Sequence, residues 1–336
     1  MQNFNTMNML EPENVLRNAV AAAVMAPSSH NTQPWRFRIV GSTLEILADP
    51  SRHLHVIDAE RRQLVQSCGC ALFNARVAVR AMGFADEVTA ILADRDLPQL
   101  VATLHLGDRI ISSETDLDLM HALPLRRTNR RPFLPRPIAI EHSDALIAAA
   151  TREGAWMIRL DPDQKHQIGH VVDHADQVQF DNPAFREELS HWLRPFGSRQ
   201  RDGIPFVEKE YGSALPFTVV RALRSPGLGV EFGKLEEELV NRSPMVAVLG
   251  TASDEPSEWL ACGQALQAVL LHATALGLSA AFLNQVLEVP SLRGKVAELI
   301  GRPGYPHMVI RLGYPEEPIH HPAPRRELDD VLEVVL

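Results

Sequence analysis

The chain of 336 residues holds only three cysteines, Cys68, Cys70 and Cys262, too few for a disulfide framework. Cys68 and Cys70 are two apart, which suits neither a zinc knuckle nor a redox CxxC pair. So low a thiol count fits a reducing compartment. Positive charge is also in short supply. Lys plus Arg number 33 against 42 Asp plus Glu, a net charge of −9. That balance argues against nucleic acid or an anionic membrane as partner, so any bound anion must be held by a local arginine cluster. No hydrophobic run is long enough for a membrane span. The most apolar stretch, Ala261–Leu283, contains Gln264, Gln267 and His272 and reads as a buried helix followed by a strand. The opening MQNFNTMNMLEPENV has neither a basic nor an apolar leader segment, so the expected location is the cytoplasm. Metal-ligand spacing is missing too: His53/His55, His170/His174 and His320/His321 lack a nearby third ligand, and no metal site is expected.

What is present is ordinary for a globular chain: 45% hydrophobic and 22% charged residues, in a length that suits two domains or one large one. Such a chain buries a core without staples. Apolar spacing predicts a helix over 12–26, stopped by Pro27. WRFRIV and TLEILAD read as a hairpin turned at Gly41-Ser42. A long helix is expected from about Asp58 to Met82, capped by Gly83, then strands EVTAILA and QLVATLHLG. Further helices are expected near 141–152, 161–178, 182–193 and 291–300, with strands WMIRL, MVAVLG, LSAAFL and HMVIRLG. A helix over Pro256–Leu276 is capped by Gly277, and residues 195–230, rich in proline and glycine, read as a lid or dimer arm.

A shift of 194 residues places Cys68-Gly69-x-Ala71-Leu72…Ala81-x-Gly83 on Cys262-Gly263-x-Ala265-Leu266…Ala275-x-Gly277, six identities in sixteen positions. Convergent alanine-rich helices or an ancient duplication both account for it. Two patches carry the chemistry. Arg126-Arg127-Thr128-Asn129-Arg130-Arg131 packs four cations into six residues. Guanidinium forks match phosphate oxygens, although a solvated basic turn would look the same. Ala26-Pro27-Ser28-Ser29-His30-Asn31-Thr32-Gln33-Pro34-Trp35 is the other. Its amides both donate and accept, as a heteroaromatic edge requires, or they satisfy a plain helix-to-hairpin turn.

Ala26–Trp35 resembles the APSSxNxQPW loop of the nitroreductase superfamily, and Arg126–Arg130 resembles its RRSxRxF anchor, with Thr128 in place of serine. The ALGL at 275–278 and the VIRLGYP at 309–315 also fit. Here the anchor follows the loop by about a hundred residues instead of preceding it. That order, with the DGIP at 202–205, resembles the Acg-like branch, in which one chain carries both halves of the family's homodimer. The resemblance implies an α+β, nitroreductase-like fold with an antiparallel-rich central sheet flanked by helices. It implies halves at 1–120 and 121–336, in a monomeric pseudo-dimer or a homodimer of such chains. It implies one FMN per chain, because Gly212–Leu223 shows no second loop. Arg126, Thr128, Arg130, Arg325 and Arg326 would hold the phosphate and ribityl chain. Ser28, Ser29, Asn31 and Gln33 would approach the flavin, and Asn284-Gln285 would stand where the family's acidic-glycine pair nears the ring. The implied activity is NAD(P)H reducing FMN, which then reduces a nitroaromatic, quinone or similar small acceptor, with no essential catalytic side chain. The second reading is a flavin store covered by a lid at about 181–211, with Trp192, Phe196 and Phe206 pressed on the ring.

Overall fold

The computed structural model describes residues 11–90, 99–194, 198–205, 229–317 and 322–335. The first helix, α1 (Pro12–Ala23), buries Val15, Leu16, Ala19, Val20 and Ala23 along one stripe. Strands β1 (Trp35–Val40) and β2 (Thr43–Ala48) pair antiparallel and alternate in burial, as a half-buried hairpin must. Helix α2 (Arg62–Ala81) is capped from outside its first turn, where the Asp58 carboxylate accepts the amides of Gln63 and Leu64 at 2.9 and 2.8 Å. Strands β3 (Phe84–Ala90) and β4 (Leu100–Arg109) follow, then α3 (Glu114–Ala122), which starts on a reciprocal Ser113/Asp116 capping box.

The chain continues through α4 (Ile140–Arg152), β5 (Trp156–Arg159), α5 (Pro162–Asp181) and α6 (Pro183–Trp192). A two-strand ribbon comes next, β6 (Leu193–Arg194) with β7 (Ile204–Pro205), and then α7 (Gly229–Arg242) and the wholly buried β8 (Met245–Thr251). Helix α8 (Pro256–Ala275), β9 (Ser279–Phe282), the single turn α9 (Gln285–Glu288), α10 (Pro290–Ile300), β10 (Tyr305–Gly313) and β11 (Leu332–Val335) complete it. The expected α+β fold is present, its strands divided between two main sheets in the orders β11-β1-β2-β4-β3 and β5-β8-β10-β9. Every pairing in these two sheets is antiparallel except β1 with β11. That parallel pairing, Phe37 opposite Leu332 through Val40 opposite Val335, returns the C-terminal strand to the first sheet. Among the described residues no helix is long and apolar enough to cross a membrane.

Helices α2 and α8 make the most extensive contact between elements, and glycine sets how close they come. A Cβ on Gly69 would stand 2.4 Å from the Leu260 carbonyl oxygen, and one on Gly263 would stand 2.2 Å from that of Gln66. Residues 66 and 69 are each 194 positions before 260 and 263. The shift that aligns the two helices therefore maps this contact onto itself, which is the reciprocity a two-fold axis produces. The crossing is tied by Cys70, whose thiol donates to the Gly263 carbonyl at 3.1 Å, and by Gln267 donating to Asn74 at 2.6 Å.

Gly263→Ala must push two backbones apart, and such overpacking costs about 1–3 kcal/mol or more. Gly294→Ala, in α10 with nothing within 4 Å of the new Cβ, gains helix propensity of up to about 1 kcal/mol. Thermal or urea unfolding should show the first variant clearly destabilised and the second unchanged or stabilised. Equal behaviour of the two would contradict the close crossing.

Candidate functional site

A cavity of about 510 Å³ opens where the loop after α1, helix α2, the arginine segment before α4 and helices α5, α7 and α9 meet. The loop is held in a costly shape. His30, Asn31 and Gln33 have φ of 51°, 53° and 50°, the left-handed region that non-glycine residues avoid. Three such residues in four positions persist only where the surroundings over-determine them. Those surroundings are visible. The Ser28 hydroxyl accepts the Gln33 amide at 2.9 Å, and the Asn31 side chain donates to the carbonyls of Gly203 and Pro324 at 3.0 and 3.1 Å. Gly203 donates back from its own amide to the Asn31 carbonyl at 3.1 Å. A side chain there would collide with the Trp192 carbonyl 2.4 Å away, at φ +74°. Asp202 fastens the same segment through Arg52 at 2.9 Å and Arg194 at 2.8 Å. Burial pulls its carboxyl up, but these two hydrogen bonds outweigh that and hold it below the usual range.

The arginine segment lies along the edge of β9, where Thr128 bridges Ala280 and the Asn129 amide donates to the Ala280 carbonyl at 2.8 Å. Buried Arg311 on β10 supports it from beneath, donating to the carbonyls of Arg131 and Asn129 at 3.0 and 3.2 Å. Arg126 is buried, and its Nη1 has no hydrogen-bond partner. Burial first, then the neighbouring Arg127 cation, pull its pKa down to about 10. Arg325 is pulled down to about 9 by burial, then by Arg126 and Arg127. Among the described residues neither Arg126 nor Arg325 pairs with a carboxylate; buried cations so placed are costly, and an oxygen-rich anion relieves the cost.

Ser28, Ser29, Asn31, Arg126, Thr128, Arg130, Asn284, Gln285 and Arg325 all line this one cavity, drawn from segments up to 297 residues apart. Gln33 and Arg326 do not. Gln33 is fully buried and bonds main chain, donating to the Arg201 carbonyl at 2.7 Å and accepting the Arg326 amide at 2.8 Å. The Arg326 guanidinium turns toward the carbonyls of Gln33, Trp35 and Asp330. Arg325 commits both terminal nitrogens to carbonyl and amide oxygens of the loop and tail, leaving Nε unpartnered. Asn284 braces β10, with its carbonyl accepting the Val309 amide at 3.2 Å. Trp192 sits in a satellite cluster with Leu54, Ile57 and Phe185, capped by Arg52 and Arg194, and does not reach the cavity. Phe185 and Leu189 of α6 line the cavity instead. Phe196, Phe206, Gly212–Leu223 and His320-His321 lie outside the described residues.

Several lining residues were not anticipated. Gln66 of α2 is buried with both amide atoms unpartnered, a donor and an acceptor at the cavity wall. Ser29 donates to Gln63, which donates to Glu288 at 2.8 Å, linking the loop to α9. His30 is neutral: burial and then Arg130 take it down to about 4. Spacing in the sequence gave no warning of Gln63, Gln66 and Glu288, because polar residues scattered through helices match no binding pattern. The cysteines are free and buried, as core residues should be, and burial lifts Cys68 and Cys70 to about 12. His53 bonds the Asp58 carbonyl at 2.6 Å. The grouping of possible metal ligands found among the described residues, His166, His170 and Glu237, stands apart from the cavity. A buried guanidinium with a bare nitrogen, Arg126, and the unpartnered amide of Gln66 in one cavity fit a phosphorylated heteroaromatic group.

The model described as "Nitroreductase family" matches residues 8–76 and 125–314. The "Putative NAD(P)H nitroreductase Rv3131" of Mycobacterium tuberculosis is 32% identical over 327 residues, covering 95% of this chain and 91% of the relative. The "Putative NAD(P)H nitroreductase acg" of the same organism is 29% identical over 331 residues, covering 95% and 96%. A nitroreductase with bound FMN from Bacteroides fragilis is a more distant structural neighbour, at 13% identity and a TM-score of 0.38, covering 62% of this chain and 94% of that one.

A base whose folded pKa lies below its unfolded value costs stability at neutral pH, and the cost fades as pH rises through the folded pKa. For Arg126 that happens near pH 10. Phosphate should therefore raise the unfolding temperature of the flavin-free chain at neutral pH, beyond chloride at equal ionic strength. The gain should shrink above about pH 10 and be smaller in Arg126→Met. A phosphate effect no larger than that of chloride would contradict the anion site.

Proposed function

The chain belongs to the nitroreductase family, and on that premise we propose that it is an FMN-dependent oxidoreductase, with NAD(P)H as donor and a nitroaromatic, quinone or similar small molecule as acceptor. The observation that carries the proposal is the convergence, in one cavity, of the strained loop at 26–35 and the uncompensated cations of Arg126 and Arg325. Bound FMN would supply the two-electron redox chemistry, and the protein supplies its position and surroundings. Arg126 and Thr128, with Arg130, take the phosphate and ribityl oxygens. Arg325 acts mainly on the loop, holding the carbonyls of Met25 and Ala26 at 3.2 and 3.1 Å. Ser28 fixes the turn, and Ser29, Gln66 and Gln285 of α9 line the cavity that would receive the ring. No side chain is assigned an obligatory proton transfer.

We read 1–120 and 121–336 as fused copies of one unit. The reciprocal Gly69/Gly263 contact supports that reading, and a pseudo-dimer of this kind holds one flavin and functions as a monomer or as a homodimer. A second reading has its own observation. Asp202 fastens the segment before β7 to the loop through Arg52, which also donates to the Thr32 carbonyl, and to the end of α6 through Arg194, and Ile204 and Pro205 line the cavity. A permanently closed cover would make the protein a flavin store.

The two readings separate in one anaerobic experiment on the purified chain. We expect visible flavin absorption that bleaches on mixing with NADPH or NADH. Bleaching by dithionite alone, with faster NAD(P)H reduction in Asp202→Asn, would establish the store and overturn the oxidoreductase.

A further inference from the structure

The cavity that receives the arginines is also lined by three carboxyl groups from three different helices: Asp176 on α5, Glu236 on α7 and Glu288 on α9. The account of the flavin site uses none of them. Glu288 accepts the side-chain amides of Gln63 and Gln179 at 2.8 and 2.7 Å. Asp176 is buried and receives one long contact, from Gln285 at 3.4 Å. Glu236 lines the cavity and has no hydrogen bond among the described residues. Four phenylalanines, Phe180, Phe185, Phe232 and Phe282, line the same space, and the first three pack together. Phe180 stands edge-on to Phe185 with centroids 5.4 Å apart, and Phe232 lies 5.3 Å from Phe180.

The electrostatics are most one-sided at Asp176. Burial acts first on Asp176, and the charges acting on it are Glu236, Glu288 and Asp173, all negative, so its carboxyl is pushed well above the ordinary range. Burial also raises Glu288, which feels the Arg62 cation from α2 and Glu188 from α6. Glu236 is raised by burial against the pull of Arg311 and Arg130. Desolvated like charges are relieved by taking up protons or by a ligand that brings a positive charge. Aromatic faces, negative at the ring centre, favour the same ligand.

We propose that this cavity selects an aromatic cation, a flat ring bearing an amidinium, ammonium or protonated ring nitrogen, whose charge lies against Asp176, Glu236 and Glu288 while its ring packs among Phe180, Phe185 and Phe232. Taken with the proposed function, this ligand is the electron acceptor, and the inference deepens that reading. The carboxyl wall nevertheless belongs to this chain whether or not flavin is bound.

Benzamidine, its neutral isostere benzamide and the anion benzoate serve as probes, none of which needs to be reduced. Calorimetric titration of the purified full chain, with its visible spectrum recorded alongside, should show benzamidine binding at least tenfold more tightly than benzamide, and benzoate weakest. The preference should grow with pH from mildly acidic to mildly alkaline, as Asp176, Glu236 and Glu288 ionise against one another and against Asp173, Glu188, Arg62, Arg130 and Arg311. Asp176→Asn, which is isosteric, should cut benzamidine affinity at least fivefold and leave benzamide unchanged, and Glu236→Gln should act in the same direction. Benzamide binding as tightly as benzamidine would overturn the proposal, as would benzoate binding best or an affinity indifferent to both substitutions. A colourless chain that still prefers benzamidine would uphold this inference while removing the flavin reading. A yellow chain without the preference would do the reverse.

Discussion

Helices α2 and α8 touch through glycine, and the rest of the molecule is arranged around that contact. A methyl group at residue 69 or 263 would lie within 2.4 Å of a main-chain oxygen of the other helix, so these positions hold the two backbones at a fixed distance. Close-packed interiors relax poorly around added volume. The wall of the cavity that carries Gln63, Gln66, Ser67 and Cys70 belongs to α2, and Leu266 comes from α8. The crossing therefore sets both the stability of the core and the width of the site. The second sheet lies beyond α8, and the C-terminal strand returns across the molecule to pair with β1. That return brings Arg325 and Arg326 to the loop they pin.

The site is assembled by convergence, and each contributor is poorly satisfied without a ligand. The loop after α1 carries three left-handed residues that tail and cover segment hold in place. Arg126 is a buried cation with a bare nitrogen, and Gln66 a buried amide with no partner. On the α5, α7 and α9 side the excess is negative. A cavity that is cationic on one wall and carboxylic on another favours a ligand set of mixed charge: a phosphate-bearing group held by arginine, and a second molecule held by carboxylate. Buried charges interact strongly because little water screens them.

Much of the fold could be read from local signals, because those signals act locally. Apolar spacing marks the first helix, which ends at Ala23, short of the expected stop at Pro27; Gly41-Ser42 turns a hairpin, and the long helices stop at Gly83 and Gly277. The loop and the arginine segment were legible because several informative residues stand side by side. Other features were not. Helix α3 has a visible Ser113-x-x-Asp116 cap but little apolar periodicity, and α7 follows a stretch of sequence, 195–230, whose prolines and glycines show no clear period. Strand β11 is four residues whose partner is almost 300 positions away. The directions of Gln33 and Arg326 depend on which carbonyls the folded tail presents, and no residue letter reports that. Asp176, Glu236 and Glu288 lie in three separate helices among other acids, and only the fold brings them to one cavity.

The central claim is a single cofactor site per chain, built from the loop of one half and the arginines of the other. Titration of the flavin-free chain with FMN and with riboflavin tests it most directly. One FMN per chain is the expected result, with FMN bound at least tenfold more tightly than riboflavin, since a charge-assisted hydrogen bond contributes about 1.5–3 kcal/mol. Two equivalents per chain would contradict the shared site. Equal affinity for the two flavins would contradict the phosphate role of Arg126.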